Sequence, residues 1–303
     1  MLFKVVFLGT AGTIPSADRN TSAIFVQHSN YRFLFDCGEG AQRQIMSAKL
    51  GFRNLDNVFI THMHTDHFIG AFGLIETLSL NGRKKELNFY TPNPEMLKNL
   101  FEIFGYDNLD YPIIVKKAKD GDEISFRGFK IVVFKTEHIV PSVGYALIEN
   151  DVRKFEKEKA LALGIPPGPI YAKLKSGESI EWEGELINPE MVLGELKKGR
   201  RLVYTGDTRP CERTIEVAMN ADLLIHDASF SEEMKEWAIE SGHSTAKEAG
   251  EVAKKANVKK LILTHISARY SKDPEILLNE AKEVFENVEI AEDLMKFDIQ
   301  QSW

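Results

Sequence analysis

Residues 61–67 run Thr61-His62-Met63-His64-Thr65-Asp66-His67, which places three imidazoles and one carboxylate within six positions. The string follows Asn57–Thr61, a short apolar run that reads as a β-strand. In a loop at a strand end, side chains at such close spacing can converge on one point from several directions. Imidazole nitrogen and carboxylate oxygen together suit zinc, a borderline ion. The chain has only eight histidines, and three of them fall here, so a chance polar loop is a poor account of the string. A catalytic site with two metals needs more ligands, supplied from other strand ends. Three such positions stand out. His138 follows the run Lys130–Thr136, Asp207 follows Arg201–Thr205, and His265 follows Lys260–Thr264. Each alone would more often be a hydrogen-bonded structural residue. As a set that repeats one placement, strand and then ligand, they read as a metal site.

The rest of the chain supports a mixed α/β fold. Phe3–Leu8, Ala23–His28 and Tyr31–Asp36 are strand-like, and Ser29-Asn30 marks a hairpin turn between the last two. Leu87–Tyr90, Glu123–Phe126, Gly144–Ile148 and Asp222–His226 are further strand patterns. Helical spacing covers Phe68–Leu80, Pro94–Phe104, Ala246–Ala256 and Pro274–Glu283, with Ser244-Thr245 as an N-cap signal for the third. The Gly9–Gly12 turn is not a dinucleotide-binding turn, because no helix pattern follows it. One segment, 151–199, breaks the rhythm. It is polar, Gly/Pro-rich and without a sustained period, and it reads as an irregular arm inserted in a single domain spanning 1–303.

No apolar run approaches the roughly 20 residues needed to span a bilayer. The N-terminal stretch reads as a first strand rather than a signal peptide, and two cysteines, Cys37 and Cys211, make no disulfide framework. These features point to a cytoplasmic protein with no membrane partner. The net charge of −7 argues against nucleic acid when averaged over the chain. What matters is where the charge sits. Between Asp151 and Lys175, six Lys/Arg face three acids, leaving that stretch at +3.

His-x-His-x-Asp-His after a strand resembles the signature of the metallo-β-lactamase superfamily, and the resemblance extends over nearly the whole chain to the RNase Z family. Gly9–Pro15 with Arg19-Asn20-Thr21-Ser22, Phe35–Gly40 with Gln42, His138–Tyr145, His226–Ser229, Gly242–Thr245 and Ile266–Tyr270 are similar to that family's motifs. The resemblance implies an αβ/βα four-layer sandwich with two zinc ions per subunit at the sheet ends. One ion would take His62, His64 and His138, the other Asp66, His67 and His265, and Asp207 would bridge them. Asp66 would also accept a proton from the attacking water. His243, held by Asp227 or its neighbour, would protonate the leaving group. The family more often has Glu and Thr where this chain has Asp227 and Ser229. Neither cysteine occupies a ligand position, which favours the phosphodiesterase branch over the β-lactamases. Arg19, Asn20 and Arg269, with Gly168, Lys173 and Lys175 of the arm, would contact substrate. The implied activity is removal of the 3′ trailer from precursor tRNA by a homodimeric endonuclease.

Two other readings compete. A different two-zinc hydrolase, acting on a small phosphodiester or an arylsulfate ester, would share the ligands but has no use for the arm. A non-catalytic RNA-binding module with structural zinc would have a closed site, whereas this ligand set leaves positions open.

Overall fold

The computed structural model describes residues 2–301, with the backbone alone for Asp107; Met1, Ser302 and Trp303, the ends of the expected 1–303 domain, lie outside the described residues. Two seven-stranded sheets carry the structure. The first runs Lys296–Asp298, Phe3–Gly9, Ala23–His28, Tyr31–Phe35, Leu55–Phe59, Leu87–Thr91, Ile113–Lys117. The second runs Val288–Ile290, Leu261–Thr264, Leu223–Asp227, Arg201–Tyr204, Val143–Glu149, Phe129–Lys135, Glu123–Phe126. Alternating side chains explain the layering. Phe3, Val5 and Phe7 enter the core between the sheets, where they join Phe33, Phe59, Tyr145, Leu202 and Ile225. Val6 and Leu8 point the other way, to a second core beneath the helices Ala41–Ser47, Gly70–Leu80 and Pro94–Ile103. On the far sheet, Val203, Leu224 and Leu263 pack under the helices Glu212–Ala218, Ala246–Lys255 and Glu275–Lys282. The result is a helix–sheet–sheet–helix sandwich.

Local chemistry sets the element ends. His28 pairs with Tyr31 across the Ser29-Asn30 turn, and Ser29 takes a φ of 53° to close it. Thr245 and Glu248 form a reciprocal capping box at the start of Ala246–Lys255. The helix expected from Phe68 instead comes in two pieces, Thr65–Phe68 and Gly70–Leu80. Asp66 and His67 therefore sit on a helical turn rather than in an open loop. Close packing demands the small residue at the join: a Cβ on Gly70 would lie 1.9 Å from Gly38 O.

Strand direction gathers the polar residues. Tyr31–Phe35, Leu55–Phe59 and Leu87–Thr91 are parallel, as are Arg201–Tyr204, Leu223–Asp227 and Leu261–Thr264. Their C-terminal ends share one edge of the sandwich. There the sheets are tied together by Tyr145 Oη donating to Ile60 O at 2.8 Å and Val143 N donating to Thr61 O at 3.0 Å.

The arm departs from the sequence expectation. It is not irregular. Val152–Phe155 pairs antiparallel with Leu193–Lys197 at its base, and between them lie the helices Lys157–Ala162 and Ile170–Lys175 and the hairpin Ile180–Trp182/Glu185–Ile187. These enclose a small core of their own from Ala160, Ile165, Tyr171, Leu174, Ile180, Ile187 and Val192. Elements of three to six residues are too short to show a period in sequence. Charge is also unevenly spread along the arm. Between the paired ends Val152 and Lys197, seven cations meet eight carboxylates, so the positive excess belongs to the first half only, and the hairpin half is acidic.

At the sandwich end away from the gathered polar residues, Glu149 joins the sheets. It accepts from Arg200 Nε and Nη2 at 2.9 and 2.7 Å and meets His28 Nε2 at 2.7 Å. Burial alone would raise this carboxyl, but His28 and Arg200 hold it well below the usual carboxylate range. A depressed folded pKa gives stability that is present above the unfolded value, about 4.3, and is lost as pH falls through the folded one. Glu149→Gln should therefore cost about 3 kcal/mol in urea unfolding at neutral pH, by leaving Arg200 without its carboxylate. That difference should shrink near pH 3. A difference that is the same at both pH values would contradict the assignment.

Candidate metal centre

Seven side chains meet at the shared edge, four of them (His62, His64, Asp66 and His67) from the segment after Leu55–Phe59 and one each from the ends of three other strands. His62, His64, His138 and Asp207 form one group, Asp66, His67 and His265 a second, and Asp207 and His265 join Asp227 and His243 in a third. Asp207 lies between the two. Its Oδ2 is 3.5 Å from His62 Nε2 and 3.3 Å from His265 Nε2, and its Oδ1 is 3.2 Å from His67 Nε2. Asp66 Oδ2 is 3.5 Å from His67 Nε2 and 3.4 Å from His265 Nε2. His64 Nδ1 and His138 Nε2 are 3.2 Å apart.

These residues fit divalent metal. His62 Nε2 and Asp207 Oδ1 are fully buried with no hydrogen-bond partner, although buried polar atoms are almost always paired. Burial, and for His62 the neighbouring His67 as well, pushes His62, His64 and His138 below the ordinary imidazole range, which leaves them neutral and free to ligate. His67 goes the other way. Burial opposes its charge, but Asp207, Asp36 and Asp66 together raise it well above the ordinary value. Such a cluster of buried carboxylates requires positive charge among them, and a metal on the His67 nitrogen meets that demand.

The atoms behind the ligands fix their orientation. His138 Nδ1 donates to Gly242 O at 2.8 Å, and His67 Nδ1 meets Asp36 Oδ2 at 2.8 Å, so each presents Nε2 inward. His265 Nδ1 meets Ser229 Oγ at 2.8 Å. Asp36 is fully buried and also accepts from Tyr204 Oη at 2.7 Å and Thr61 N at 2.7 Å. Asp36 and His265 hold left-handed φ values of 57° and 60° that side chains seldom adopt, a local cost of about 1–3 kcal/mol each. Gly12 runs against His265, where a Cβ would stand 2.7 Å from His265 O.

Beside the cluster, His243 Nδ1 is 2.8 Å from Asp227 Oδ2. Its ring stacks on His265 at 4.9 Å and meets His138 edge-on at 5.1 Å. Burial opposes protonation of His243, but Asp227 outweighs it and raises the imidazole to about 9. Ser229 Oγ, 2.7 Å from Asp227 Oδ1, links this pair to His265. The shorter Asp227 and Ser229 thus still reach both imidazoles.

Comparison with known proteins bears on what such a site serves. A family model described as Beta-lactamase superfamily domain matches residues 168–266, and one described as Anti-Pycsar protein Apyc1 matches residues 3–155. Ribonuclease Z from Archaeoglobus fulgidus is 69% identical over 301 residues, 99% of this chain and 98% of its own. Ribonuclease Z from Methanosarcina acetivorans is 49% identical over 98% of each chain. This chain belongs to the ribonuclease Z family of the metallo-β-lactamase superfamily. Among solved structures, the short form of human tRNase Z superposes with a TM-score of 0.70 at 25% identity over 98% of this chain and 99% of its own. The metallo-β-lactamase fold protein YhfI from Bacillus subtilis superposes with 0.68 at 22% identity over 98% of both, a likeness of fold alone.

Within this ribonuclease Z family member, the expected substrate residues are less uniform than the ligands. Arg19 is buried. Its Nη1 donates to Thr10 Oγ1 at 2.7 Å and Ala291 O at 2.5 Å, so it braces the N-terminal loop and is not placed to meet a phosphate. Asn20 donates through both N and Nδ2 to Asp293 Oδ2. An Arg near a Gly-rich turn suggested substrate because sequence cannot show that Asp293 and Ala291 close over it. Arg269 is exposed on the short helix Ala268–Tyr270 after His265. Gly168, Lys173 and Lys175 lie in the arm, remote in sequence from the ligands, with Lys175 Nζ 5.1 Å over the Phe155 ring. The structure also adds Asp36 to the site. It too follows a strand, so its placement was a usable signal.

Asp36→Asn should retain acceptance from Thr61 but turn an amide toward His67 Nδ1, changing which ring nitrogen carries the proton. Metal affinity should fall roughly 10- to 100-fold, measured by competition with a chromophoric chelator. Unchanged affinity would remove Asp36 from the metal's support.

Proposed function

We propose that the protein cuts the 3′ trailer from tRNA precursors, just after the discriminator nucleotide, as a cytoplasmic homodimer with two zinc ions per subunit. The reading rests on one observation above others: a buried His243–Asp227 pair stands against a cluster of His and Asp side chains that fits divalent metal. In such a site one group can supply the proton that a poor leaving group needs. A precursor tRNA, matching the ribonuclease Z relatives, presents such a group in the ribose 3′-oxygen.

His62, His64 and His138 would hold one zinc, Asp66, His67 and His265 the other, and Asp207 both. When bound, the ions supply Lewis acidity, lowering the pKa of water and offsetting charge on the phosphate. Asp66, fixed by Thr13 N at 3.0 Å, has a carboxylate oxygen at the cluster to accept the proton of the attacking water. His243 holds its Nδ1 proton on Asp227 and offers Nε2–H to the departing 3′-oxygen. Water attacks phosphorus and the P–O3′ bond breaks, leaving a 3′-hydroxyl on the tRNA and a 5′-phosphate on the trailer. Arg269 and the arm, through Lys173, Lys175 and the Gly168 turn, would hold the rest of the RNA. A folded arm with its own core supports a large substrate over a small phosphodiester or arylsulfate, which needs no remote grip.

The experiment combines end mapping with removal of the arm. The intact protein should give only the termini just described, and a 2′,3′-cyclic phosphate would contradict attack by water. Because Val152 pairs with Lys197, a short Gly-rich linker can replace 152–197 without straining the sandwich. That variant should keep its metals and hydrolyse a small activated phosphodiester at the intact rate, yet process precursor tRNA very poorly below saturation. Full processing without the arm would remove it from recognition.

A further inference from the structure

The His243–Asp227 pair is gripped by the loop that carries the bridging ligand. Three successive residues take part. Asp207 is grouped with the metal ligands. Thr208 N donates to Asp227 Oδ2 at 3.1 Å, and Thr208 O accepts from Ser244 Oγ at 2.6 Å. Arg209 then reaches across: its Nη1 donates to His243 O at 2.6 Å and to Glu248 Oε2 at 2.7 Å, and its Nη2 donates to Glu248 Oε1 at 2.5 Å. Arg209 is itself anchored, its N–H donating to Glu137 O at 2.6 Å, beside His138.

Glu248 is not a free partner that Arg209 happened to meet. It is the third residue of Ala246–Lys255, and its Oε2 also accepts from Thr245 N at 3.0 Å in the capping box. The main chain of His243 is thus held on both sides. Its N–H donates to Ala238 O at 2.8 Å, and its carbonyl accepts from Arg209. The imidazole hangs from a backbone that Arg209 pins to the helix start and to the metal-bridging loop together. A planar fork can bind a carboxylate with two nitrogens and still spare a donor for a carbonyl, in a fixed geometry that a single ammonium nitrogen does not reproduce.

We propose that Arg209 is a positioning residue for proton donation: it fixes His243 relative to the bridging Asp207, so that the imidazole proton meets the leaving oxygen. The inference rests on the reading of His243 as the proton donor. It does not make Arg209 a substrate contact, although the side chain borders a cavity of about 540 Å³ with His138, Ile139, Ile239 and Gly242.

The test compares leaving groups in the metal-loaded enzyme. Precursor tRNA expels a ribose 3′-oxygen, which must take the His243 proton as the P–O bond breaks. Bis(p-nitrophenyl) phosphate expels p-nitrophenolate, which is a stable anion at neutral pH and needs no proton. Arg209→Lys retains a cation for Glu248, so the fold is preserved, but it loses the fork. It should lower kcat on precursor tRNA roughly 10²-fold, leave KM within twofold, and leave bis(p-nitrophenyl) phosphate hydrolysis and metal content as in the parent. Arg209→Gln should show the same split, more strongly. Parental kcat for Arg209→Lys on precursor tRNA would overturn the proposal. So would equal losses on both substrates, which would place the effect on the metals, or a rise in KM alone, which would make Arg209 a substrate contact. His243→Ala, run alongside, keeps the two readings apart. If it shows no leaving-group split, the proton-donor reading fails. If it shows the split and Arg209→Lys does not, only the inference about Arg209 fails.

Discussion

Four aspartates, Asp36, Asp66, Asp207 and Asp227, crowd one end of the sandwich, and three of them are completely or almost completely buried. Ionised carboxylates taken out of water cost several kcal/mol each unless positive charge or strong donors answer them. The surrounding structure is arranged around that cost. Asp36 is answered by Thr61, Tyr204 and His67, and Asp227 by His243, Thr208 and Ser229. Asp207 alone is left with an unpartnered oxygen, on the side facing His67. The position of that unmet oxygen, between two groups of imidazoles, is where cations belong.

The sandwich makes this concentration of charge possible. Parallel strands in both sheets deliver their C-terminal ends to a common edge, and the two sheets are stitched there by Tyr145 and Val143. At the other end, Glu149, Arg200 and His28 close the structure with a paired network of their own. The arm stands apart, with a separate core and a two-strand base. The polar cluster and the arm are thus built on different cores.

Much of this could be read from the sequence, for identifiable reasons. A strand that ends in a ligand leaves two adjacent signals, a β-branched run and then His or Asp, and this gave His62, His138, Asp207 and His265 and all but the ends of their strands. What escaped depended on distant partners. Arg19 looked available for phosphate because nothing local reveals that Thr10 and Ala291, 272 residues away, take its guanidinium. The arm looked irregular because its elements span only one or two periods, too few repeats for a pattern to stand out. The helices Ala41–Ser47, Glu212–Ala218 and Lys235–Ser241 were passed over for the same reason. Arg209 sat in plain view two residues after a ligand, but its role needs Glu248 and the His243 carbonyl, which only the fold brings near.

The central claim is that these carboxylates and imidazoles were assembled to take two divalent cations. It is tested most directly by adding zinc stepwise to chelator-stripped protein while following thermal unfolding. Metal that binds only the folded state raises Tm steeply while its sites fill and only logarithmically with free metal after that. Tm should rise steeply over the first two equivalents per chain and only slowly with further zinc, with the steep rise lost in Asp207→Ala. A Tm that does not move with zinc, or that rises equally in Asp207→Ala, would contradict it.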